Sequence, residues 1–402
     1  MRRRFLELIG VAAAVMAVIV LLKLTQVPVA GQAARPTATA GAAATTGPAA
    51  KTPWGEPDLQ GIWNDEYQTP LQRSPKYAAK EFFTDAERAA LDKQRAVIEL
   101  RPRQEKGSER DVAGAYNAVF MSVRPTGRRT SLIVDPPDGR IPPMTPELQK
   151  TMAAEREYRL VLLQATATCK NQEAGCRGGK YGPPSPRYAE TPPRYSTANI
   201  NRVDNPEDRS RSERCMAAVL PDFGGFRRIV QSPGSVAIFY DVGQGQGWQR
   251  NIPLDGSPHL PSQVRQRFGD SRGRWEGNTL VVDVTNFSAK AEFQGSRENL
   301  HLIERWTRMG PNTLEYAVTM DDPTTWTKPW TVKQEYTRQN EQANRIYYEP
   351  RCHEGNYGLP GLLAGGRAAE KAFAEGRGPH PAAIDNATGM QAPEDSTDPL
   401  TQ

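Results

Sequence analysis

Four histidines are the only imidazoles in this chain of 402 residues, so what stands beside each one bears directly on acid/base chemistry. His259 follows Leu254-Asp255-Gly256-Ser257-Pro258, a turn-forming run that sets it at a strand end; an exposed loop histidine is the plain alternative. His301 opens an alternating segment with Glu304 and Trp306. At a period of two, His301 and Glu304 face opposite sides, so each must find other partners. His353 sits in Cys352-His353-Glu354-Gly355-Asn356-Tyr357-Gly358, the densest polar cluster. A fixed imidazole there suits general acid/base work, and a hydrogen-bonded corner that holds the C-terminal segment is the competing reading. His380 lies in the tail and reads as solvated.

The segment from Gly269 to Phe287 reads as a hairpin around Glu276-Gly277-Asn278-Thr279, since Gly and Asn tolerate left-handed turn positions. Beyond the turn, Leu280, Val282 and Val284 point to one face, and Val281 and Asp283 to the other. Before it, Asp270, Arg272, Arg274, Trp275 and Glu276 gather more charge than a structural hairpin requires. Arg272 and Arg274 are expected to pair with acids on neighbouring strands. Asp321-Asp322-Pro323 has the composition of a cation site or an acid pair, but an Asx turn is the reading preferred. Trp275, Trp306, Trp326 and Trp330 supply aromatic surface, which serves either as core or as the wall of an apolar ligand site. The expected site therefore has His353, His259, Asp270 and Glu276 as catalytic groups and Arg274, Trp275, Trp306, Trp330 and Tyr357 as binding groups, with no metal.

Several signatures are missing: the Gly-x-Ser-x-Gly elbow, the Gly-x-Gly-x-x-Gly dinucleotide fingerprint, the Walker phosphate loop and the His-Glu-x-x-His zinc helix. The expectation is cofactor-independent acid/base chemistry of a lyase, isomerase or hydrolase type, or ligand binding without turnover.

The elements that must position these residues begin after a processed end. Arg2-Arg3-Arg4 precedes an apolar run of about 14 residues, Ile9 to Leu22, and then small residues at Gly31 and Ala33. Residues 1–33 thus read as an export signal, cleaved or kept as an anchor, through the general or the twin-arginine route. The formal charge of +5 falls once that segment is removed, leaving 47 cations against 45 anions. No basic stripe alternates with aromatics, so nucleic acid is not an expected partner; a small molecule is, and a membrane is met only through an uncleaved signal. Oligomeric state is not legible.

Residues 34–52, rich in Ala, Thr, Pro and Gly, read as a flexible tether. The body, 53–363, opens with Pro57-Asp58-Leu59-Gln60-Gly61-Ile62-Trp63 feeding a first strand. Thr84-Asp85-Ala86-Glu87 has capping-box spacing and predicts a helix from Asp85 to Leu100. Ser131 to Asp135 reads as a strand, with Asp138-Gly139 as a hairpin signal, and Thr145-Pro146 starts a second helix to about Ala165. Residues 171–208 read as an irregular connection, functional as a lid or disordered. Short strands follow: Arg228 to Asp241, Gln249 to Leu254, the hairpin, His301 to Arg308, Thr313 to Met320, Trp330 to Thr337 and Ile346 to Glu349. Such a run predicts a mainly β fold, an antiparallel barrel or sandwich with two or three peripheral helices, lipocalin-like as the best match. Residues 364–402 hold one short helix, Gly366 to Glu375, and a polar tail.

Cys169, Cys176, Cys215 and Cys352 allow three disulfide connectivities. The short Cys169 to Cys176 loop can close on itself, which leaves Cys215 for Cys352, and a metal site is the rival reading. In an exported chain disulfides are favoured.

Pro57-Asp58-Leu59-x-Gly61-Ile62-Trp63, Asp135-Pro136-Pro137-Asp138-Gly139-Arg140-Ile141-Pro142-Pro143, Pro253-Leu254-Asp255-Gly256 with His259, the 269–287 hairpin and Cys352-His353-Glu354-Gly355-Asn356-Tyr357 together resemble a widespread family of exported bacterial proteins. The resemblance implies export and a shared β-rich fold across nearly the whole body, and transfers no reaction and no catalytic residue. Gly61 and Trp63 also resemble the Gly-x-Trp opening of lipocalin-like barrels. The Cys169 to Cys176 loop is not part of the family pattern.

Overall fold

Alternating burial along consecutive strands organises this protein. The structure is a computed structural model, and it describes residues 50–99, 124–243, 246–339, 352, 353, 355 and 357–387. The expected export signal, most of the expected tether, Leu100, the expected strand from Ile346 to Glu349, Glu354, Asn356 and the tail from residue 388 lie outside the described residues.

The strands are β1 (Gly61–Asn64), β2 (Ile133–Asp135), β3 (Phe226–Ser232), β4 (Ser235–Gly243), β5 (Gln246–Pro253), β6 (Asp270–Glu276), β7 (Thr279–Thr285), β8 (His301–Gly310), β9 (Thr313–Asp321) and β10 (Trp330–Arg338). They form one ten-stranded antiparallel sheet in the order β5-β4-β3-β1-β10-β9-β8-β7-β6, with β2 paired to β10. The two edge strands meet. Arg250 of β5 hydrogen-bonds Ser271 of β6 at 3.4 Å, and a Cβ at Gly273 would come within 2.5 Å of Leu254 and 2.8 Å of Ile252. The sheet is therefore nearly closed into a barrel, as alternation predicted. These contacts advance along both strands in the same sense, so β5 and β6 run parallel at the seam. Parallel neighbours need a crossover connection, and residues 254–269 supply it.

The barrel interior holds the main core. Leu280, Val282 and Val284 of β7 face inward beside Leu302 and Trp306 of β8. Trp306 stacks on Tyr316 with ring centroids 4.1 Å apart. Among these apolar walls sits an ion pair, Arg250 with Glu304, and Tyr316 donates its hydroxyl to Glu304 at 2.7 Å. Burial pushes the pKa of Tyr316 well up. A buried pair of this kind needs its remaining lone pairs satisfied, which Tyr316 provides.

Two longer helices start as their caps direct. In α1 (Asp85–Glu99) the Thr84 and Glu87 side chains exchange bonds with each other's backbone N–H at 3.3 and 2.8 Å. In α2 (Pro146–Leu163), Thr145 accepts from Leu148 N. A short helix, α3 (Ala167–Lys170), precedes the irregular stretch. The C-terminal helix α4 spans Gly358–Ala374, beginning eight residues before the expected start. Its glycines lower intrinsic propensity, but Gly366 packs so closely on Val203 that a Cβ would lie 2.3 Å away, and that burial offsets the loss. No helix of the described residues is long and apolar enough to cross a membrane.

Other expectations need correction. Arg228 to Asp241 is a hairpin, not one strand, because Pro233-Gly234 turns the chain, with Gly234 at φ +74°. Asp138-Gly139 does make a tight turn, Gly139 N to Pro136 O at 2.9 Å. It is no hairpin, since Pro142 and Pro143 cannot donate to a ladder, and β2 pairs with β10 instead. The tether ends sooner than expected, for Asp58 N bonds Ala50 O at 2.8 Å. Disulfides join Cys169 to Cys176 and Cys215 to Cys352, with Cα separations of 5.0 and 5.3 Å.

Candidate functional site

The crossover from β5 to β6 carries His259 over the outer wall of the barrel, and a polar cluster forms where it lands. Asp270, the first residue of β6, alternates outward from Ser271 and is only 4% exposed. Its Oδ2 takes His259 Nδ1 at 2.8 Å and Leu260 N at 3.0 Å, and its Oδ1 takes Arg272 Nη1 at 2.7 Å. Arg272 Nε donates to Pro258 O at 2.8 Å, and Asn286 Nδ2 to Leu260 O at 2.8 Å. These bonds fasten the crossover to the wall.

The second nitrogen of His259 reaches Asp283 Oδ1 at 3.2 Å, and His301 Nε2 reaches the same oxygen at 3.0 Å. Asp283 faces Ile303 across the β7–β8 ladder, so His301, two residues earlier on the same face, is its diagonal neighbour. The result is a line from Arg272 through Asp270, His259 and Asp283 to His301. The His301 hydrogen bond holds the Asp283 carboxyl below its ordinary pKa, and that same bond raises the pKa of His301 against the opposing effect of burial.

Both nitrogens of His259 are occupied by carboxylates, so it has none free for a reacting molecule. His301 differs. Its side chain is 40% exposed, and all its hydrogen bonding among the described residues uses Nε2. Nδ1 is left to accept or deliver a proton, with Asp283 fixing the ring as an orienting carboxylate does in acid/base dyads.

Of the expected site residues, the fold brings His259 and Asp270 together and leaves the rest elsewhere. Glu276 ends β6 six residues beyond Asp270, about 20 Å along the strand at ~3.3 Å per residue. There it takes Arg274 Nη2 at 2.7 Å and Arg305 Nη1 at 2.9 Å, and Arg305 first, then Arg274, lowers its pKa. Arg272 and Arg274 thus pair within their own strand, not across it, because alternate residues share a face; Arg305 supplies the cross-strand partner. His353 is exposed beside Cys352, and none of the cluster's bonds goes to it. Tyr357 is 98% exposed. Trp306 and Trp330 are fully buried core, Trp330 stacked on Phe293 at 6.1 Å, and Trp275 packs against that core; as packed, these rings do not form an open mouth. Asp322 is an Asx turn, accepting Thr324 N at 2.9 Å, and it also takes Ser296 Oγ and Thr325 Oγ1.

Sequence reading passed over Asp283 as one polar residue among valines. Its signal was there: an outward acid on β7 facing the strand that His301 opens. Sequence also gave no sign of a cavity of about 230 Å³ between α2, the segment 192–198 and the loop before β8. No group of three or more His, Cys, Asp or Glu side chains among the described residues is arranged to hold a metal ion.

No protein-family model matches this chain, and no curated protein does. Among solved structures, a point mutant of the fluorescent protein UnaG is similar over 29% of this chain and 72% of its own, at 16% identity and a TM-score of 0.20. Wild-type UnaG gives 28%, 72%, 17% and 0.19. A likeness of that size carries no argument about ligand or site.

Proposed function

We propose that this protein is an exported, periplasmic or secreted barrel that takes a small, largely apolar or aromatic molecule and moves a proton on it at His301, with Asp283 as the positioning carboxylate. The observation that carries this reading is the 3.0 Å bond from His301 Nε2 to Asp283, which leaves Nδ1 without a hydrogen bond among the described residues, on an oriented ring whose side chain is 40% exposed. No redox cofactor takes part in this reading. The place of chemistry shifts from the barrel mouth to its outer wall, and His259 becomes the clamp that orients Asp283. Proton abstraction beside a carbonyl, isomerisation and elimination all suit a lone imidazole dyad.

Deuterium exchange tests it without a known substrate. The purified protein is incubated in heavy water with small aromatic ketones and esters, and incorporation at carbon is read by mass spectrometry. Exchange by the wild-type chain that falls at least about a hundredfold in His301→Gln supports the dyad; equal exchange in both chains, or none in either, removes it. Asp283→Asn should retain exchange with a displaced pH profile.

A second reading has its own support. The double engagement of His259 suits a non-catalytic clamp, and the protein is then a ligand-binding or envelope-interaction protein in which the cluster only holds the crossover.

A further inference from the structure

The cavity beside α2 has walls of two kinds. Met152, Pro192, Pro193 and Ile200 give it an apolar side, and Tyr158 and Tyr195 add rings. Tyr158 and Tyr195 are held in place, the first donating its hydroxyl to Glu190 O at 2.8 Å and the second accepting from Arg214 Nη1.

The charges on the other side are unequal in their partners. Glu155 is engaged by Arg194, and Glu292 accepts Thr197 Oγ1 and Gly295 N, each at 2.9 Å. Both carboxylates are therefore already satisfied. Arg159 is exposed at the cavity, and its side chain makes no hydrogen bond or ion pair among the described residues. Arg297 is 7% exposed and lines both this cavity and an adjoining one of about 160 Å³. Its two hydrogen bonds, to Tyr195 O at 2.9 Å and Ala289 O at 3.0 Å, both leave from Nη1. Nε is buried without a partner, and Nη2 carries no hydrogen bond among the described residues.

Leaving buried guanidinium donors unpaired is costly, and although the nearby Glu155, Glu292 and Glu298 favour its charge, burial together with Arg194 outweighs them and pulls its pKa down. An anion entering the cavity would relieve that. A guanidinium fork matches a carboxylate, and a volume of about 230 Å³ is below the ~300–1,000 Å³ of pockets for drug-sized ligands, which limits the guest to about one ring with a short acidic arm. We propose that this cavity is a binding site for a small aromatic carboxylate, its acid group held by Arg297 and Arg159 and its ring laid on the apolar wall. The site is independent of the dyad at His301.

Calorimetric titration of the full chain with phenylacetate, and with neutral benzyl alcohol, tests it. Phenylacetate binds saturably and benzyl alcohol at least about tenfold more weakly, the ratio expected of a charge-assisted bond. Arg159→Glu, an exposed change that leaves the fold intact, weakens phenylacetate about tenfold, Arg297→Lys weakens it as well, and His301→Gln does not. Equal binding of acid and alcohol, binding of neither, or unaltered affinity in Arg159→Glu overturns the site. Loss of deuterium exchange in His301→Gln with phenylacetate binding retained separates failure here from failure of the dyad.

Discussion

His301 and Asp283, on neighbouring strands and diagonal in register, meet at 3.0 Å on the outer wall of a barrel whose inner wall is packed. The bond couples two titrations of opposite direction. His301 is raised from an ordinary 6.5, so its contribution is complete below that pH and is lost as pH rises through the folded value. Asp283 is lowered from 3.8, so its contribution is present above that pH and is lost as pH falls through the folded value. Both contributions are therefore complete between the two ordinary values, 3.8 and 6.5. Since both side chains are about a third or more exposed, solvent screening leaves roughly 0.5 kcal/mol. An NMR titration of the His301 ring should give a pKa above the ordinary value that returns toward it in Asp283→Asn; an unmoved midpoint would discount the bond.

Asp270 fastens the crossover through three separate donors. Asp270→Ala strands Arg272, Leu260 N and His259 together, at a cost of about 1 to 3 kcal/mol for unsatisfied partners. Limited proteolysis should then cut within residues 255–265 faster than in the wild-type chain, with the barrel core still protected. Unchanged cleavage would show that the loop is held by other contacts.

Inside the barrel, Glu304 is 0% exposed and pairs with Arg250. Glu304→Leu alone leaves a buried cation and should cost about 3 to 5 kcal/mol in denaturant unfolding, whereas Glu304→Leu with Arg250→Met should recover much of it. A double variant as damaged as the single one would mean that the pair itself, and not the orphaned charge, holds the barrel.

The two disulfides close loops of different size, with sequence separations of 7 and 137. On the chain-entropy account the Cys215–Cys352 link contributes about 5 kcal/mol and the Cys169–Cys176 link about half that. Cys215→Ser with Cys352→Ser should therefore lower the unfolding midpoint more than the matching change at the small loop. The reverse order would locate the large link's role in native strain or residual structure.

Sequence alone determined the local units, because their causes are local. Period-two alternation marked β6 to β10, the Gly277 turn fixed the 269–287 hairpin, and Thr84 with Glu87 and Thr145 with Pro146 set the helix starts. It also separated His301 from Glu304, since opposite faces of one strand follow from the pleat. The hairpin at Pro233-Gly234 was itself a local signal, since Gln231-Ser232-Pro233-Gly234-Ser235 breaks the apolar run with a turn-forming stretch, and the expected single strand ran across it. Only the tertiary structure decided what met what. Asp283 met His301 through the β7–β8 register, and it met His259 because a parallel seam at β5 and β6 forced a crossover along the outer wall. Trp306 and Trp330 became core, not ligand wall, because closing the sheet buries every inward ring. Arg297 came to stand at a cavity because α2, distant in sequence, packs beside the loop that carries it. Register between neighbours in sequence can be read from periodicity; contact between distant segments depends on closure and packing, which no single stretch of residues encodes.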